Sequence, residues 1–375
     1  MKVGSSWLAV GGNRMKIKKI FFFLLLSAIN YQLSTLFAAA SPGTKSGEFL
    51  SIDGSCSSRA LGGNEGTLIQ PEGFLNNPAS AGFAVRPGIY LSRLIWLDGE
   101  DVSNVAYVFP LLSWAGLGVS YSNMTLSSIE GYDFNDQPTG DYEANESLAA
   151  MGVGFRRGEL AIGIKGKSWQ EDLSVSKGSA FLFDAGLTWN RERFILSVVS
   201  LNNGGNIVYD KGEEKEFPVE KNVLLNFGIN FAEGSLYTGY VRPETEESWY
   251  KTGLRYSPSK NFSLLCGFSS RDDLFSGFSF GAELGFRNIL AGYAFSGGEV
   301  FGSVHQISLS YVFGESSLKD RLFRRARRLY KSGKIEESRE VMEKVLILDP
   351  EWKKARELEG KIRRILSTSR PEEGQ

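Results

Sequence analysis

The chain has 375 residues, and its 42 Lys and Arg against 43 Asp and Glu leave a net charge of −1. That balance gives no electrostatic reason for nucleic acid as a partner, and the single histidine, His305, leaves no His-rich metal site. With 43 glycines, 13% aromatic residues and a mean hydropathy of −0.17, the composition favours strands with one apolar face over a bundle of membrane helices.

Lys16, Lys18 and Lys19 precede the apolar run Ile20 to Leu26, and Ala38-Ala39-Ala40 stands before Ser41. A basic stretch, an apolar stretch and small residues in that order predict a secretory signal peptide over residues 1–40. The apolar core is about ten residues, short of the roughly 20 that span a bilayer as a helix. Met15 sits where such a peptide normally starts, so residues 1–14 read as an extension from a misassigned start. No later stretch has the length and apolarity of a membrane helix, so any membrane passage is expected through strands. Cys56 and Cys266 are far apart in sequence, and spacing alone does not pair them.

Residues 41–87 are rich in Gly, Ser and Asn without a sustained period and read as irregular structure. Two pieces stand out, Ser58-Arg59-Ala60-Leu61-Gly62-Gly63 and Asn76-Asn77-Pro78-Ala79-Ser80-Ala81-Gly82. They resemble the opening of PorV/PorQ-type outer-membrane proteins, relatives of the FadL channels, although Asn64-Glu65-Gly66 departs from the small apolar residues usual there. The resemblance implies a hatch inside or below a barrel, with Asn77, Pro78 and Ala79 as its motif.

Fourteen strands are expected near 88–98, 102–111, 114–124, 146–156, 159–169, 179–190, 193–201, 221–231, 235–242, 247–257, 261–271, 276–287, 288–297 and 304–313. Most have about the nine to eleven residues that a tilted strand needs to cross a bilayer. Alternation is cleanest where Leu160, Ile162 and Ile164 oppose Lys165 and Lys167. It is equally clean where Phe181, Phe183 and Leu187 oppose Asp184, and where Phe278, Phe280 and Leu284 oppose Glu283. The second face is mostly Gly, Ser and Asn with single charges, as a hydrated or plugged lumen requires. Lys165, Lys167, Asp184 and Glu283 are therefore the expected lumen charges. An apolar outer face needs lipid, and closure removes the unpaired edge. The expected fold is an all-β transmembrane barrel of about fourteen antiparallel strands, FadL-like by the resemblance, over residues 88–313. Short connections fall on one rim. The two longest, 125–145 and 202–220, fall on the other and are expected to be outer loops, with Tyr132 and Phe134 as pocket-lining residues.

In the last strand Ile307, Leu309, Tyr311 and Phe313 share the outward face. An ending of Tyr-x-Phe resembles the signal read by barrel assembly machinery. After Phe313 the chain turns charged, with 17 Lys and Arg against 12 Asp and Glu from Glu315 to the end. Residues 319–350 resemble one tetratricopeptide repeat, carried by Leu322, Ala326, Tyr330, Gly333 and Pro350. Helices over 315–366, a disordered tail over 367–375 and a periplasmic location for both are expected. A lone repeat cannot bury its apolar face, so a third helix, the barrel, another copy or a periplasmic or secreted protein partner must cover it. Arg321, Arg324, Arg325, Arg327 and Arg328 read as a solvated helix face.

Catalysis finds no support. Gly166-Lys167-Ser168 matches the end of a phosphate loop, but Ala161 occupies the required first glycine position and the segment reads as strand. No cofactor is expected. The readings that remain are a bacterial outer-membrane protein of PorV/PorQ type supporting secretion or transport, a FadL-like channel for hydrophobic molecules such as fatty acids, and a structural barrel. Outer-membrane lipid surrounds the barrel in all three.

Overall fold

The computed structural model describes residues 47–368 apart from 65–67, 70, 96–99, 174–175, 212–215, 272–274, 299–301 and 315–317. The expected signal peptide, residues 41–46 and residues 369–375 lie outside the described residues. The chain forms two compact units, Met1–Val312 and Phe313–Gln375.

The first unit contains strands β1 (Gly88–Ile95), β2 (Asp101–Leu112), β3 (Ala115–Tyr132), β4 (Pro138–Arg157), β5 (Leu160–Asp172), β6 (Lys177–Arg191) and β7 (Phe194–Gly204). Two short strands follow, β8 (Ile207–Tyr209) and β9 (Glu216–Phe217). Then come β10 (Asn222–Phe231), β11 (Gly234–Pro243), β12 (Trp249–Ser259), β13 (Phe262–Ser269), β14 (Phe275–Phe286), β15 (Ile289–Gly298) and β16 (Val304–Val312). Each long strand pairs antiparallel with its sequence neighbour, β7 pairs with β10, and β1 pairs with β16 to close the ring. Among the described residues, β8 and β9 are the strands of the 16 that stand outside this ring, so the wall has fourteen. Closure leaves no unpaired edge in the wall, which is what a strand protein in lipid requires.

The alternation sets the two faces. Along β5 every residue from Leu160 to Ile164 switches between exposed and buried. Ile162, Ile164, Phe181, Phe183, Phe278 and Phe280 point outward and stay exposed, an apolar band of the kind that transmembrane barrels present to lipid. One rim is made of two-residue turns, at 113–114, 158–159, 192–193, 232–233, 260–261 and 287–288. Gly158, Glu192 and Arg287 take positive φ there, the conformation that tight hairpins with right-handed twist demand. Trp114 stacks on Phe155 beside this rim, with ring centroids 5.9 Å apart.

Two connections differ from expectation. Residues 125–145 are not a long loop. β3 and β4 run on to Tyr132 and Pro138, leaving a turn of residues 133–137. The segment 202–220 contains the β8–β9 hairpin, and β8 pairs with the outer end of β6.

In the second unit, α2 (Leu318–Lys331), α3 (Ile335–Leu348) and α4 (Lys353–Thr368) share a core of Ala326, Val341, Met342, Val345, Ala355, Leu358 and Ile362. (The α-helix Cys56–Ala60, among the described residues of the first unit, is α1.) Leu322 and Tyr330 pack against this core. Gly333, at φ +78°, ends α2 with a left-handed residue, and the Lys334 N–H closes the turn on the Leu329 carbonyl at 3.0 Å. Pro350 follows the end of α3, where no further helical N–H is needed. α4 covers the face that a two-helix repeat leaves open, and it runs to Thr368.

Candidate functional site

The lumen is filled. The described residues of 47–87 thread it, with the 3-10 turns Glu48–Ser51, Pro71–Leu75 and Pro78–Phe83 among them, together with α1. Small lumen-side residues of the wall make this possible. At Gly163 on β5 an added Cβ would stand 2.4 Å from the Pro78 carbonyl carbon, and at Gly267 on β13 it would stand 2.0 Å from the Gly62 nitrogen. Backbone meets backbone at both points, so these glycines are needed for close approach.

Asn77 caps the last turn. Its Oδ1 accepts from the Ala79 N–H at 3.0 Å, while its Nδ2 donates to Thr188 Oγ1 on β6 at 2.9 Å. Pro78 takes the first helical position, where its missing N–H costs nothing, and Ala79 is fully buried. One level away, the buried Glu72 carboxylate accepts from the hydroxyls of Ser57 at 2.8 Å and Ser55 at 3.1 Å. Arg59 Nε donates to Gln306 Oε1 at 3.0 Å, and Gln306 Nε2 donates to the Gly54 carbonyl at 2.9 Å. The hatch is therefore tied to β6 at one end and to β16 at the other.

Above the hatch lies a group of buried charges. Lys165 stands directly across from Asp184 in the β5–β6 register, and Lys167 lies on the diagonal. Lys165 Nζ is 3.0 Å from Asp184 Oδ2, and Lys167 Nζ is 2.7 Å from Asp184 Oδ1. Lys165 also donates to the hatch carbonyls of Phe74 (3.2 Å) and Leu75 (2.6 Å). Lys167 donates to Asn202 Oδ1, and the Asn202 N–H donates to Asp184 Oδ1 at 2.8 Å. A bulge in β7 puts Asn202 there. The β6–β7 register shifts between Phe183 and Ala185, and Asn202 takes φ +59°. Two ammonium groups against one carboxylate leave this buried floor net positive. Glu283 lies elsewhere in the lumen, paired with Arg255 at 2.8 Å.

Over the floor sits an apolar chamber. It is a packed cluster rather than an open space: Leu94, Val102, Met124, Trp169, Leu182 and Val304 of the wall and Phe49 of the hatch bury one another. Trp169 is fully buried and donates from Nε1 to Glu146 Oε2 at 3.0 Å. The β8–β9 hairpin closes the chamber as a lid, contributing Ile207 and, just after it, Val219. Asp210 latches that lid. Its Oδ1 accepts from the Lys177 N–H at 2.8 Å and the Ser176 hydroxyl at 2.9 Å. Those bonds, the Lys177 N–H first, hold the Asp210 carboxyl below the usual carboxylate range. A cavity of about 40 Å³ remains between floor and chamber, lined by Phe49, Leu75, Leu148, Lys165, Lys167 and Asp184 among others. It is polar on one side and has room for a few water molecules.

The residues singled out in the sequence fall in separate places. Lys165, Lys167 and Asp184 come together, the Asn77-Pro78-Ala79 turn sits beneath them, Ile307, Leu309 and Tyr311 are exposed on the outer wall, and Phe313, just after β16, is exposed. His305 points outward and shares a 2.9 Å hydrogen bond from Nδ1 with the Tyr293 hydroxyl. Tyr132 and Phe134 do not line the chamber. They are exposed at the tip of the β3–β4 hairpin, because the strands continue past the wall. Cys56 and Cys266 are both free thiols. Phe49, Trp169, Asn202 and Ile207 escaped the sequence reading. Trp169 lies on the inward side of the β5 alternation and carried a usable signal; Phe49 and Ile207 lie in segments without a period.

No protein-family model matches the chain, and no curated protein matches its sequence. Among solved structures it is similar to the toluene transporter TodX of Pseudomonas putida. The identity is 14% over 71% of this chain and 100% of that one, with a TM-score of 0.50. A FadL homologue from Pseudomonas aeruginosa is 11% identical over 69% of this chain and 98% of that one, with a TM-score of 0.45. What the chain shares with TodX is the fold, a closed antiparallel β-barrel.

Proposed function

We propose that this protein is an outer-membrane channel for hydrophobic small molecules, fatty acids among them, gated by its hatch. The observation that carries the reading is the apolar chamber over the net-positive Lys165–Lys167–Asp184 floor, stoppered by Phe49. The chamber suits an apolar tail and the spare ammonium suits an acidic head. TodX, whose fold this chain shares, is described as a toluene transporter. Uptake of a radiolabelled medium-chain carboxylic acid by cells lacking their own hydrophobic channels tests this. Expression of the chain should raise the rate, and Lys167→Met should lower it for the acid but not for the matching alkane. An unchanged rate on expression would remove the reading.

A second reading, secretion support of PorV/PorQ type, draws on the C-terminal helices, where Ile347 and Leu348 remain exposed beside a complete core. β16 ends on the rim of short turns, which in outer-membrane barrels faces the periplasm, so a periplasmic place for these helices fits. Secreted proteins that accumulate in the periplasm when residues 315–366 are deleted, with acid uptake intact, would favour it. In both readings Ile307, Leu309, Tyr311 and Phe313 serve barrel assembly and face lipid. Phe313→Ala is then expected to lower the amount of folded barrel in the membrane.

A further inference from the structure

Among the described residues, the end of the β3–β4 hairpin past Thr125 and Asn145 adds nothing to the chamber. Among the described residues, β2 pairs with β3 as far as Thr125, and β5 pairs with β4 as far as Asn145. β3 and β4 stay paired with each other out to Tyr132 and Pro138. Residues 126–144 thus form a two-stranded ribbon reaching roughly 20 Å past its neighbours, at about 3.3 Å per residue. Among the described residues no strand pairs with either of its outer edges. Unpaired N–H and C=O groups along a strand edge are a template for an added strand.

The tip is fixed. Asp133 Oδ1 accepts from the N–H of Asn135 at 2.8 Å and of Gln137 at 2.9 Å, and Asp136 takes φ +58°. This turn holds Phe134 with 96% of its surface exposed. An aromatic ring presented on a fixed turn gains apolar burial only when something covers it, which is the behaviour of an interface anchor.

Charge decides what the occupant is. Residues 126–144 contain Glu130, Asp133, Asp136, Asp141 and Glu143, and neither Lys nor Arg. A second copy of the ribbon would set like charge against like, which opposes pairing. A phosphate-bearing lipid headgroup is repelled for the same reason. We propose that residues 126–144 dock an extended, basic polypeptide segment of an extracellular protein. That segment adds as a strand to one open edge and covers Phe134 with an apolar side chain. This does not rest on the channel reading and can fail without it.

The test uses the full chain in detergent and two labelled peptides of about ten residues: one alternating Lys with Val and Thr, the other of equal charge with Pro at alternate positions. Proline removes the ladder donors and leaves the charge. Fluorescence anisotropy and amide hydrogen exchange are read together. The expected result is binding of the first peptide with slowed exchange in residues 126–144. The proline peptide should bind at least about tenfold more weakly, and Phe134→Ala should weaken the first by about tenfold. Phe134 touches no core, and heat-resistant gel migration checks that the variant barrel is intact. Equal binding of the two peptides, no binding of either, or undiminished binding after residues 127–143 are replaced by a short turn would each overturn the proposal.

Discussion

Among the described residues Asp184 is the one carboxylate in an ion pair with Lys165 and Lys167, and all three are buried. Its removal strands two ammonium groups, so Asp184→Asn should destabilise the barrel by about 3–5 kcal/mol, the usual cost of breaking a buried pair. Lys167→Met leaves Lys165 paired with Asp184 and should cost much less. Thermal unfolding in detergent ranks the two, and equal losses would contradict a shared counter-ion. At the lid, Asp210 is held by hydrogen bonds that favour its charged form. A depressed folded pKa means the latch contributes fully above the ordinary value of 3.8 and is lost as pH falls through the lower folded value. A fluorescent label at Val208→Cys should therefore gain mobility only on acidification below that range. The added change Asp210→Ala should free the label at every pH, and a label insensitive to both would rule the latch out.

At the scale of elements, the hatch is held by shape and by single caps. Gly163→Val places methyl groups where Pro78 already stands, so the turn Pro78–Phe83 cannot seat. Asn77→Ala removes a cap and the Thr188 bond, worth about 1 kcal/mol. Trypsin cleavage after Arg59 should accelerate in the order wild type, Asn77→Ala, Gly163→Val. Unchanged cleavage in Gly163→Val would mean the hatch does not pack on β5. The wall strands were legible because period-two alternation persists over eight residues or more, as in β5 and β6. The outward continuation of β3 and β4 was not, since residues 126–144 are acidic and broken by Ser, Gly and Pro, the composition of a loop. β8 and β9 are too short to show a period. Alternation placed Lys165, Lys167 and Asp184 on the inner face, but only the register, with Lys165 opposite Asp184, makes them one cluster. The Asn202 bulge depends on that same pairing and had no signal of its own.

For the whole molecule, an apolar belt and an apolar chamber are separated by one strand thickness. Outward rings such as Phe181 and Phe278 are exposed, while Trp169 and Leu182 pack around Phe49. Withdrawing Phe49 from the chamber costs about 1.5–3 kcal/mol of burial, which an apolar ligand entering its place restores. On the proposed channel function, opening is thus tied to occupancy. The most direct measurement is photo-crosslinking with a medium-chain carboxylic acid carrying a diazirine at its tail, followed by peptide mapping of the attachment sites. Labelling of Leu94, Trp169, Leu182 or Ile207 that is competed by unlabelled acid is the expected result. Attachment confined to outward residues such as Ile162, Phe181 and Phe278 would contradict a ligand chamber in this barrel.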